Sequence, residues 1–417
     1  MRRKCTEKLI NWKKSPDRKP LVLQGGRQAG KTWLLRDFGS RQYEDTIYIN
    51  LETDKPVADF LQNPREPDET LLFLESYANK PLRQGSTLLI LDNLQAVPQA
   101  AKLLPGIGME FPNYHIAAIE RGCFLSHDTN EVELIQLYPL DFEEFLWANM
   151  EYALAKEIRE HFLQMKPMKK VLHEKAMSQF RLYLAIGGMP AAILEYRKEK
   201  KLLLVPDIQE KILQLYLADI TAEAPEGTAR HARNCFLSVP AQLCKENSKF
   251  QYRQIVKGGT AKIYQAPLKW LTETGMVYQS LRKTGTGNEE TSAFRLYLPD
   301  TGLSACRMGI PSYMLLLGEN NRSMRGLVET FLAQCFTQNR YKLSYWESGN
   351  QAELPFLLEK DGEVTAVDFR LDAGEKARNL SRYREFCQGE KMYLISVENF
   401  RSREMYDIVP VYAGFCI

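Results

Sequence analysis

The sequence lacks the patterns that mark several common classes of protein. Its eight cysteines contain no C-x-x-C, which excludes zinc-ribbon and thioredoxin-like sites, and its five histidines contain no H-E-x-x-H, which excludes the zinc-peptidase helix. No run of about 20 apolar residues occurs, so we expect no membrane partner. Scattered thiols without a pairing pattern predict a reduced, cytoplasmic protein.

The chain also lacks a strong charge of either sign. Lys and Arg number 55 against 52 for Asp and Glu, and the net charge of +3 excludes a surface dominated by attraction to polyanions. The basic first twenty residues are followed by no apolar run, so we expect no signal peptide among them. A length of 417 residues with 44% hydrophobic residues predicts roughly two to four domains with ordinary cores.

What the sequence does contain is a glycine-rich phosphate-binding pattern, the P-loop. Gly25-x-x-x-x-Gly30-Lys31-Thr32 follows a predicted buried strand at 20–24 and precedes a predicted helix at 33–38 that Gly39 ends. Loop N–H groups and a lysine ammonium are the groups that bind the phosphates of a nucleotide. The predicted nucleotide-binding residues are Gly25, Gly26, Arg27, Gln28, Ala29, Gly30, Lys31, Thr32 and Trp33.

A carboxylate completes the predicted site. Asp92 ends an apolar segment at 87–92, the place of the Walker B residue that holds Mg²⁺ together with the P-loop hydroxyl. We therefore assign Thr32 and Asp92 to the metal and expect ATP and Mg²⁺ as cofactors.

The order of predicted elements indicates the fold class. Further apolar segments at 46–50, 115–119 and 132–137 alternate with stretches long enough for crossover helices, which predicts an α/β domain with a parallel sheet. Helical patterns dominate from there to about residue 275. Three predicted helices followed by a hairpin suggest a winged helix. The helices lie at 230–237, 241–246 and 262–274, and the hairpin strands at 276–281 and 294–298. A separate α/β segment ends the sequence.

Taken together, these segments resemble a family of bacterial AAA-type P-loop ATPases with a C-terminal restriction-endonuclease-like domain of the PD-(D/E)XK type. The matching segments, in chain order, are 19–32, Tyr48-Ile-Asn-Leu-Glu52, Leu89-Ile-Leu-Asp92, 137–145, Gly187-Gly-Met-Pro190, Pro240-Ala-Gln-Leu243, 245–250, Trp270-Leu271, Asp300-Thr-Gly-Leu303 and 352–357. The resemblance implies an AAA-like nucleotide-binding domain at 1–150, a helical and winged-helix region at 151–310 and a restriction-endonuclease-like domain at 311–417.

The sequence departs from this family at positions that serve catalysis. Asn93 follows Asp92 where the family usually has a Glu that polarises the attacking water, and an amide has no comparable basicity. Ile119-Glu-Arg-Gly122 stands where a small γ-phosphate sensor segment is usual, and Glu131 and Thr260 stand where basic residues are common. The resemblance therefore implies nucleotide binding with weak or absent hydrolysis, and no catalytic residue is assigned.

The C-terminal domain departs in the same way. Restriction-type nucleases hold Mg²⁺ between an acid on one strand and a Glu-x-Lys on the next. Here Pro355 stands at the acid position and Asp368-Phe-Arg370 at the second, and an arginine keeps its proton at any working pH. Glu329, Glu353 and Asp368 remain as candidate ligands, and we expect a retained fold without a working nuclease.

Three functional interpretations follow from the sequence. In the first, ATP or ADP gates the interactions of the C-terminal domains with a DNA or protein partner. In the second, the chain is a DNA-binding or nuclease-derived module in which ATP is only structural. In the third, the chain is a degenerate scaffold that binds no nucleotide, and the intact P-loop argues against it. In the second interpretation, basic residues of the winged-helix segment contact DNA phosphates; otherwise they form a solvated face. These residues are Lys245, Lys249, Arg253, Lys257 and Lys262. The biological process and the oligomeric state stay open.

Overall fold

The structure is a computed structural model that describes residues 1–63, 65–122, 125, 127–245, 248–283, 289–348, 352–372, 374, 377–386 and 391–417, with the backbone alone at 289–292. It divides into two units. The first contains residues 2–138 and 273–275, and the second contains residue 1, residues 139–272 and residues 276–417.

The first unit is built on a five-stranded sheet in which every strand pair is parallel, in the order β2-β3-β4-β1-β5. The strands are β1 Leu21–Gly25, β2 Asp45–Asn50, β3 Thr87–Asp92, β4 His115–Arg121 and β5 Glu133–Gln136. This confirms the predicted parallel α/β sheet. Because parallel strands end at the same edge of a sheet, the last residues of β1, β3 and β4 lie side by side.

Helices cover both faces of this sheet. They are α1 Cys5–Lys14, α2 Lys31–Gln42, α3 Lys55–Leu61, α4 Pro67–Ala78 and α5 Pro98–Glu110. All six residues of β3 are buried, as expected for a central strand with apolar packing on each side. The predicted end of the second helix at Gly39 is wrong, since α2 continues to Gln42. Gly39 is required there because a Cβ would lie 2.5 Å from Thr46 Oγ1.

Between residues 142 and 384, the described part of the chain contains eleven α-helices. They are α6 Phe142–Ala148, α7 Tyr152–Gln164, α8 Lys170–Ile186, α9 Pro190–Glu199, α10 Val205–Glu223, α11 Ala229–Leu243, α12 Ala261–Glu273, α13 Thr301–Met308, α14 Ser312–Leu317, α15 Arg322–Gln338 and α16 Arg378–Arg384. Two predicted helices, at 230–237 and 241–246, are instead one helix, α11, which passes through Pro240. Burial of its apolar face, including Phe236 and Leu243, outweighs the hydrogen bond that the proline lacks.

The second unit contains an eight-stranded mixed sheet in the order β12-β13-β11-β10-β9-β8-β6-β7. The strands are β6 Tyr278–Lys283, β7 Glu289–Tyr297, β8 Lys342–Ser348, β9 Ala352–Lys360, β10 Glu363–Phe369, β11 Lys391–Ser396, β12 Arg401–Ser402 and β13 Asp407–Pro410. The predicted hairpin is β6 and β7, and the turn predicted at 285–288 lies outside the described residues. No helix in the described ranges is long and apolar enough to cross a membrane.

The hairpin belongs to the C-terminal sheet, because β6 pairs in parallel with β8. One sheet therefore continues across the predicted boundary between residues 310 and 311. The boundaries at 150 and 310, the winged helix and the restriction-endonuclease-like domain stay predictions.

Candidate functional site

The backbone of the glycine-rich loop has positive φ angles and a close contact that favour glycine at particular positions. Gly25 has a φ of 156°, and a Cβ on it would lie 2.2 Å from the carbonyl oxygen of Leu137. Gln28 (φ 62°) and Gly30 (φ 96°) are both left-handed, and Gly30 is the N-cap of α2. Two reversals in three residues turn the loop back so that α2 begins at its end. The loop is thus shaped by the spacing of glycines that the sequence motif specifies.

Lys31 lies inside this loop. Its side chain is buried, and Nζ donates hydrogen bonds of 2.7 Å to the carbonyl oxygen of Gly25 and 2.8 Å to that of Gly26. These bonds fold the lysine back across the loop that carries it. The positive charge is therefore fixed beside the first turn of α2, where an α-helix presents N–H groups that have no intrahelical acceptor.

The structure brings together the two residues predicted to hold the metal. Thr32 Oγ1 donates a 2.7 Å hydrogen bond to Asp92 Oδ2, and the Tyr48 hydroxyl donates a 2.8 Å bond to the same oxygen. The other oxygen, Asp92 Oδ1, accepts from the backbone N–H of Asn93 at 2.8 Å. Burial and the bond to Asp92 raise the pKa of Tyr48 above its ordinary value, so this hydroxyl keeps its proton and donates it. Tyr48 begins one of the segments that resemble the family, but the sequence did not predict it as a site residue.

Asn93 is held by both ends of its amide. Its Nδ2 donates to Asn50 Oδ1 at 3.0 Å, and its Oδ1 accepts from Gln95 Nε2 at 3.2 Å. Gln95 Oε1 in turn accepts from the backbone N–H of Arg121 at 3.1 Å, so a chain of amides links the ends of β2, β3 and β4. Asn93 is left-handed (φ 60°, ψ 50°), a conformation that asparagine tolerates better than most residues. The position is therefore built for an amide.

Arg121 lies in the segment 119–122 that the sequence places at the γ-phosphate sensor, but it was not predicted as a residue of the site. It ends β4 in register with Gly25, and its side chain, 15% exposed, lies 3.8 Å from Glu52. The preceding residue, Glu120, is fully buried and accepts hydrogen bonds from Gln24 Nε2 and from the N–H of Leu125. Strand alternation directs these neighbours to opposite sides, and that rule was the available signal. Of the predicted sensor segment, Arg121 is thus the charged residue at the cavity.

These groups border a cavity of about 430 Å³, within the range of small-molecule sites. Three cationic and two anionic side chains border it, and Trp33 lies in its wall with half of its surface exposed. The lining residues are Arg27, Gln28, Gly30, Lys31, Thr32, Trp33, Tyr48, Asn50, Glu52, Asp92, Asn93, Ile119 and Arg121. An excess of positive charge around loop N–H groups favours an anionic ligand.

A second cluster of charged residues lies in the second unit, at the predicted nuclease position. Glu329 is buried in α15, and its Oε1 accepts 2.8 Å hydrogen bonds from Arg295 and from the Tyr297 hydroxyl. Arg295, buried on β7, also bonds to Glu353, and its guanidinium lies 4.5 Å from the centre of the Tyr345 ring. The cation between these two carboxylates is thus supplied by the protein itself.

The remaining predicted nuclease residues lie next to this cluster in the same sheet. Phe356 and Val367 are paired, so Pro355 and Asp368 are the next positions on β9 and β10. Arg370 lies 2.9 Å from Asp368 Oδ2, and burial raises the pKa of Asp368 to about 6 although Arg370 opposes the shift. Within the described ranges, no group of three or more His, Cys, Asp or Glu residues is arranged to hold a metal ion.

Two regions of the chain match the models of known protein families. Residues 17–146 match the family described as "AAA domain", and residues 177–313 match "Domain of unknown function (DUF8612)". The first unit is therefore an AAA-type P-loop domain. No curated protein matches the chain.

Several solved structures resemble the chain at low identity. The Walker-type ATPase PABY2304 of Pyrococcus abyssi is 15% identical over 74% of this chain and 95% of its own, with a TM-score of 0.42. The Aeropyrum pernix ORC1 protein in complex with DNA is 14% identical over 74% and 91%, with a TM-score of 0.29. The Thermotoga maritima RuvB Holliday junction branch migration motor is 14% identical over 66% and 89%, with a TM-score of 0.31.

Proposed function

We propose that this AAA-type chain binds ATP with Mg²⁺ in the cavity of the first unit and hydrolyses it slowly or not at all. The observation that carries the proposal is the convergence of Lys31, Thr32 and Asp92 at the end of a loop shaped by Gly25 and Gly30. The phosphates would lie against the first turn of α2, where loop N–H groups, the helix dipole and the Lys31 ammonium all favour negative charge.

The donor set at the end of β3 suits magnesium. Mg²⁺ is usually held by one or two carboxylates together with waters and substrate phosphates, and it prefers oxygen ligands. Thr32 would offer its hydroxyl oxygen to the ion while it still donates its hydrogen bond to Asp92, and Asp92 would hold a metal-bound water. The ion would neutralise phosphate charge. Both residues are already joined, so little rearrangement is needed.

Slow hydrolysis is supported by the state of Asn93. A general base must accept a proton, and an amide oxygen is a very weak base. The Asn93 oxygen also accepts from Gln95 already, so the side chain is engaged in structure. Neither Asp92 nor Glu52 replaces it in the same position, because Asp92 accepts from Thr32 and Tyr48 and Glu52 faces Arg121.

We infer that the nucleotide acts as a switch for residues 139–417, which would bind a protein or DNA partner. A ligand shifts a conformational equilibrium only through different affinities for the two states, and contacts to the terminal phosphate provide such a difference. Direct DNA contact by the predicted basic residues has less support. Lys249 pairs with Glu347 at 2.8 Å and Lys245 bonds to Gln254, so two of the five are engaged within the chain.

We also propose that the second cluster has no nuclease activity. A two-carboxylate site needs free oxygens for the metal, whereas Glu329 accepts from Arg295 and Tyr297. Plasmid DNA incubated with the full chain and Mn²⁺ should stay supercoiled. Robust nicking that Asp368→Ala abolishes would contradict this part of the proposal.

Titration calorimetry of the full chain tests nucleotide binding. We expect ATP and ADP to bind in Mg²⁺, and Lys31→Ala to lose affinity by about a hundredfold, the equivalent of the charge-assisted bonds removed. Lys102→Ala, an exposed lysine on α5, is the matched control and should bind like wild type. Absence of binding by the wild type at millimolar ATP would refute the proposal. Phosphate release at about one per second or faster, dependent on Lys31, would refute its slow-hydrolysis part.

A further inference from the structure

Arg3 links the phosphate-binding loop to the end of the first unit. Its guanidinium is buried, and one nitrogen donates a 2.9 Å hydrogen bond to the carbonyl oxygen of Ala29 while another donates a 2.6 Å bond to that of Tyr138. Arg3 stands just before α1, which is anchored in the core of the unit by Leu9 and Trp12. The side chain therefore extends from a fixed position to two segments that lie far apart in the sequence.

The first of these bonds acts on the loop itself. The carbonyl of Ala29 and the N–H of Gly30 belong to one planar peptide unit, so a donor that fixes the oxygen also fixes the direction of the N–H. Gly30 borders the cavity. Arg3 is thus placed to orient, from behind, one of the N–H groups that would face a phosphate.

The second bond acts on the connection between the units. Tyr138 is the last residue of the first unit before the chain continues into the second. Two residues later the chain is fixed again, since the Leu140 N–H donates to Gly188 O at 2.8 Å and the Leu140 carbonyl accepts from the Tyr183 hydroxyl at 2.7 Å. Only Pro139 separates the two fixed positions, and its ring restricts φ. A displacement of the Tyr138 backbone is therefore passed on to Leu140, because a single residue of restricted φ cannot absorb it.

We propose that Arg3 is a positioning residue that couples occupancy of the phosphate-binding loop to the connection at residues 138–140. When phosphate binding reorients the Ala29–Gly30 peptide, the carbonyl oxygen of Ala29 moves and the Arg3 guanidinium follows it. The guanidinium then shifts the carbonyl of Tyr138, to which it donates its second hydrogen bond. The coupling rests on the proposed function, because it needs a nucleotide in the loop. It adds to that function a route by which the nucleotide state reaches the second unit.

Hydrogen–deuterium exchange on the full-length chain, tagged at its C-terminus, tests this coupling. We expect saturating Mg-ATP to slow exchange both in the loop at 25–33 and in the segment at 137–146 of the wild type. In Arg3→Ala the slowing in the loop is kept, with affinity within about tenfold of wild type, while the slowing at 137–146 is lost. Arg2→Ala, a substitution of the exposed neighbour, should behave like wild type.

A second variant, Arg3→Lys, controls for the case in which Arg3→Ala misfolds. Arg3→Lys keeps the charge and most of the side-chain volume, but one ammonium lacks the planar fork that spans two carbonyl oxygens. We expect it to fold and to lose the response at 137–146 as Arg3→Ala does.

The outcomes separate this inference from the proposed function. No slowing in the loop of the wild type would refute nucleotide binding itself. Slowing in the loop with none at 137–146 would refute the coupling and leave nucleotide binding intact. Slowing at 137–146 that persists in both Arg3 variants, with the loop equally protected, would refute the role of Arg3.

Discussion

Thr32 donates a 2.7 Å hydrogen bond to Asp92 across 60 positions of sequence. The bond joins the start of α2 to the end of β3, so the loop and the carboxylate behave as one site. Since Tyr48 on β2 donates to the same oxygen, Asp92 is held by one helix and by the neighbouring strand of the first unit. The carboxylate is thereby oriented before any metal arrives.

The role of Asp92 in holding magnesium can be separated from its role in the fold. Asp92→Asn keeps an oxygen that accepts from Thr32 and Tyr48 but removes the charge. We expect nucleotide affinity in EDTA to be unchanged or higher, because a negative charge near the phosphates is lost, while the gain in affinity on adding Mg²⁺ falls by about tenfold. Calorimetric titrations with ATP in EDTA and in Mg²⁺ measure both values. An equal gain in the variant and the wild type would contradict the assignment of Asp92 to the metal.

Restoring a carboxylate at position 93 should restore hydrolysis. Asn93→Glu places a base beside the cavity, and a positioned general base typically contributes about a hundredfold or more to a rate. We expect a gain of that order in phosphate release, together with a loss of about 1 kcal/mol of stability because the position is left-handed. Asn93→Gln is the control, since it changes the length of the side chain without adding a base. Equal turnover in both variants would contradict the explanation.

Arg121 and Glu52 should have opposite effects on the preference for ATP over ADP. Arg121 lies at the cavity beside Glu52, which competes with a phosphate for the guanidinium. Arg121→Gln should lower the affinity ratio of ATP to ADP by about tenfold, and Glu52→Gln should leave it unchanged or raise it. Competition binding with a fluorescent nucleotide measures the ratio. A fall in both variants would show that the pair acts on the fold of the site and not on the terminal phosphate.

The guanidinium of Arg295 should be essential to the second unit. Arg295→Met leaves Glu329 buried without its cation, and breaking a buried pair in this way costs about 3 to 5 kcal/mol. Adding Glu329→Gln removes the stranded charge, so the double variant should recover part of the loss. Glu353→Gln should cost less because that side chain is 43% exposed. Urea unfolding measures all three, and a double variant less stable than Arg295→Met would contradict the reasoning.

Asp368 should make stability depend on pH in a direction opposite to most carboxylates. Burial raises its folded pKa from 3.8 to about 6, so the folded state holds the proton more tightly than the unfolded state does. Its contribution is complete below pH 3.8 and is lost as the pH rises through 6. Relative to Asp368→Asn, the wild type should lose up to about 3 kcal/mol between pH 4 and pH 7. Unfolding free energies of both proteins across this range test the claim, which a constant difference would contradict.

The sequence predicts those features of the first unit that depend on local pattern. The strands at β1 and β3 are short apolar runs between turn residues, and the glycine spacing of the P-loop specifies its backbone. The Thr32–Asp92 contact could also be expected, because the carboxyl ends of parallel strands meet at one edge. The predicted helix end at Gly39 and the predicted break between residues 237 and 241 are wrong because tertiary packing outweighs the low helix propensity of glycine and proline.

Features that depend on distant partners were not accessible in this way. Arg3 carries no motif, and although Tyr48 and Arg121 lie in segments that the resemblance singles out, nothing in those segments assigns them a role. Arg3 and Tyr48 gain their roles from residues at least 44 positions away, and Arg121 gains its role from its place at the sheet edge. Arg295 was not predicted either, because nothing in a hairpin strand marks an arginine as the partner of a glutamate 34 positions away. Arg295 and its neighbours on β7 from Phe294 to Tyr297 are all buried.

The pairing of β6 with β8 has a practical consequence for anyone who dissects this protein. A fragment that starts at residue 311 lacks β6, so one edge of β8 would have unpaired N–H and C=O groups. Such an edge can pair with another copy of the chain and promote aggregation. The same fragment would also strand Glu329 without Arg295. Excision at that point would yield insoluble material, and a soluble C-terminal piece must include the hairpin.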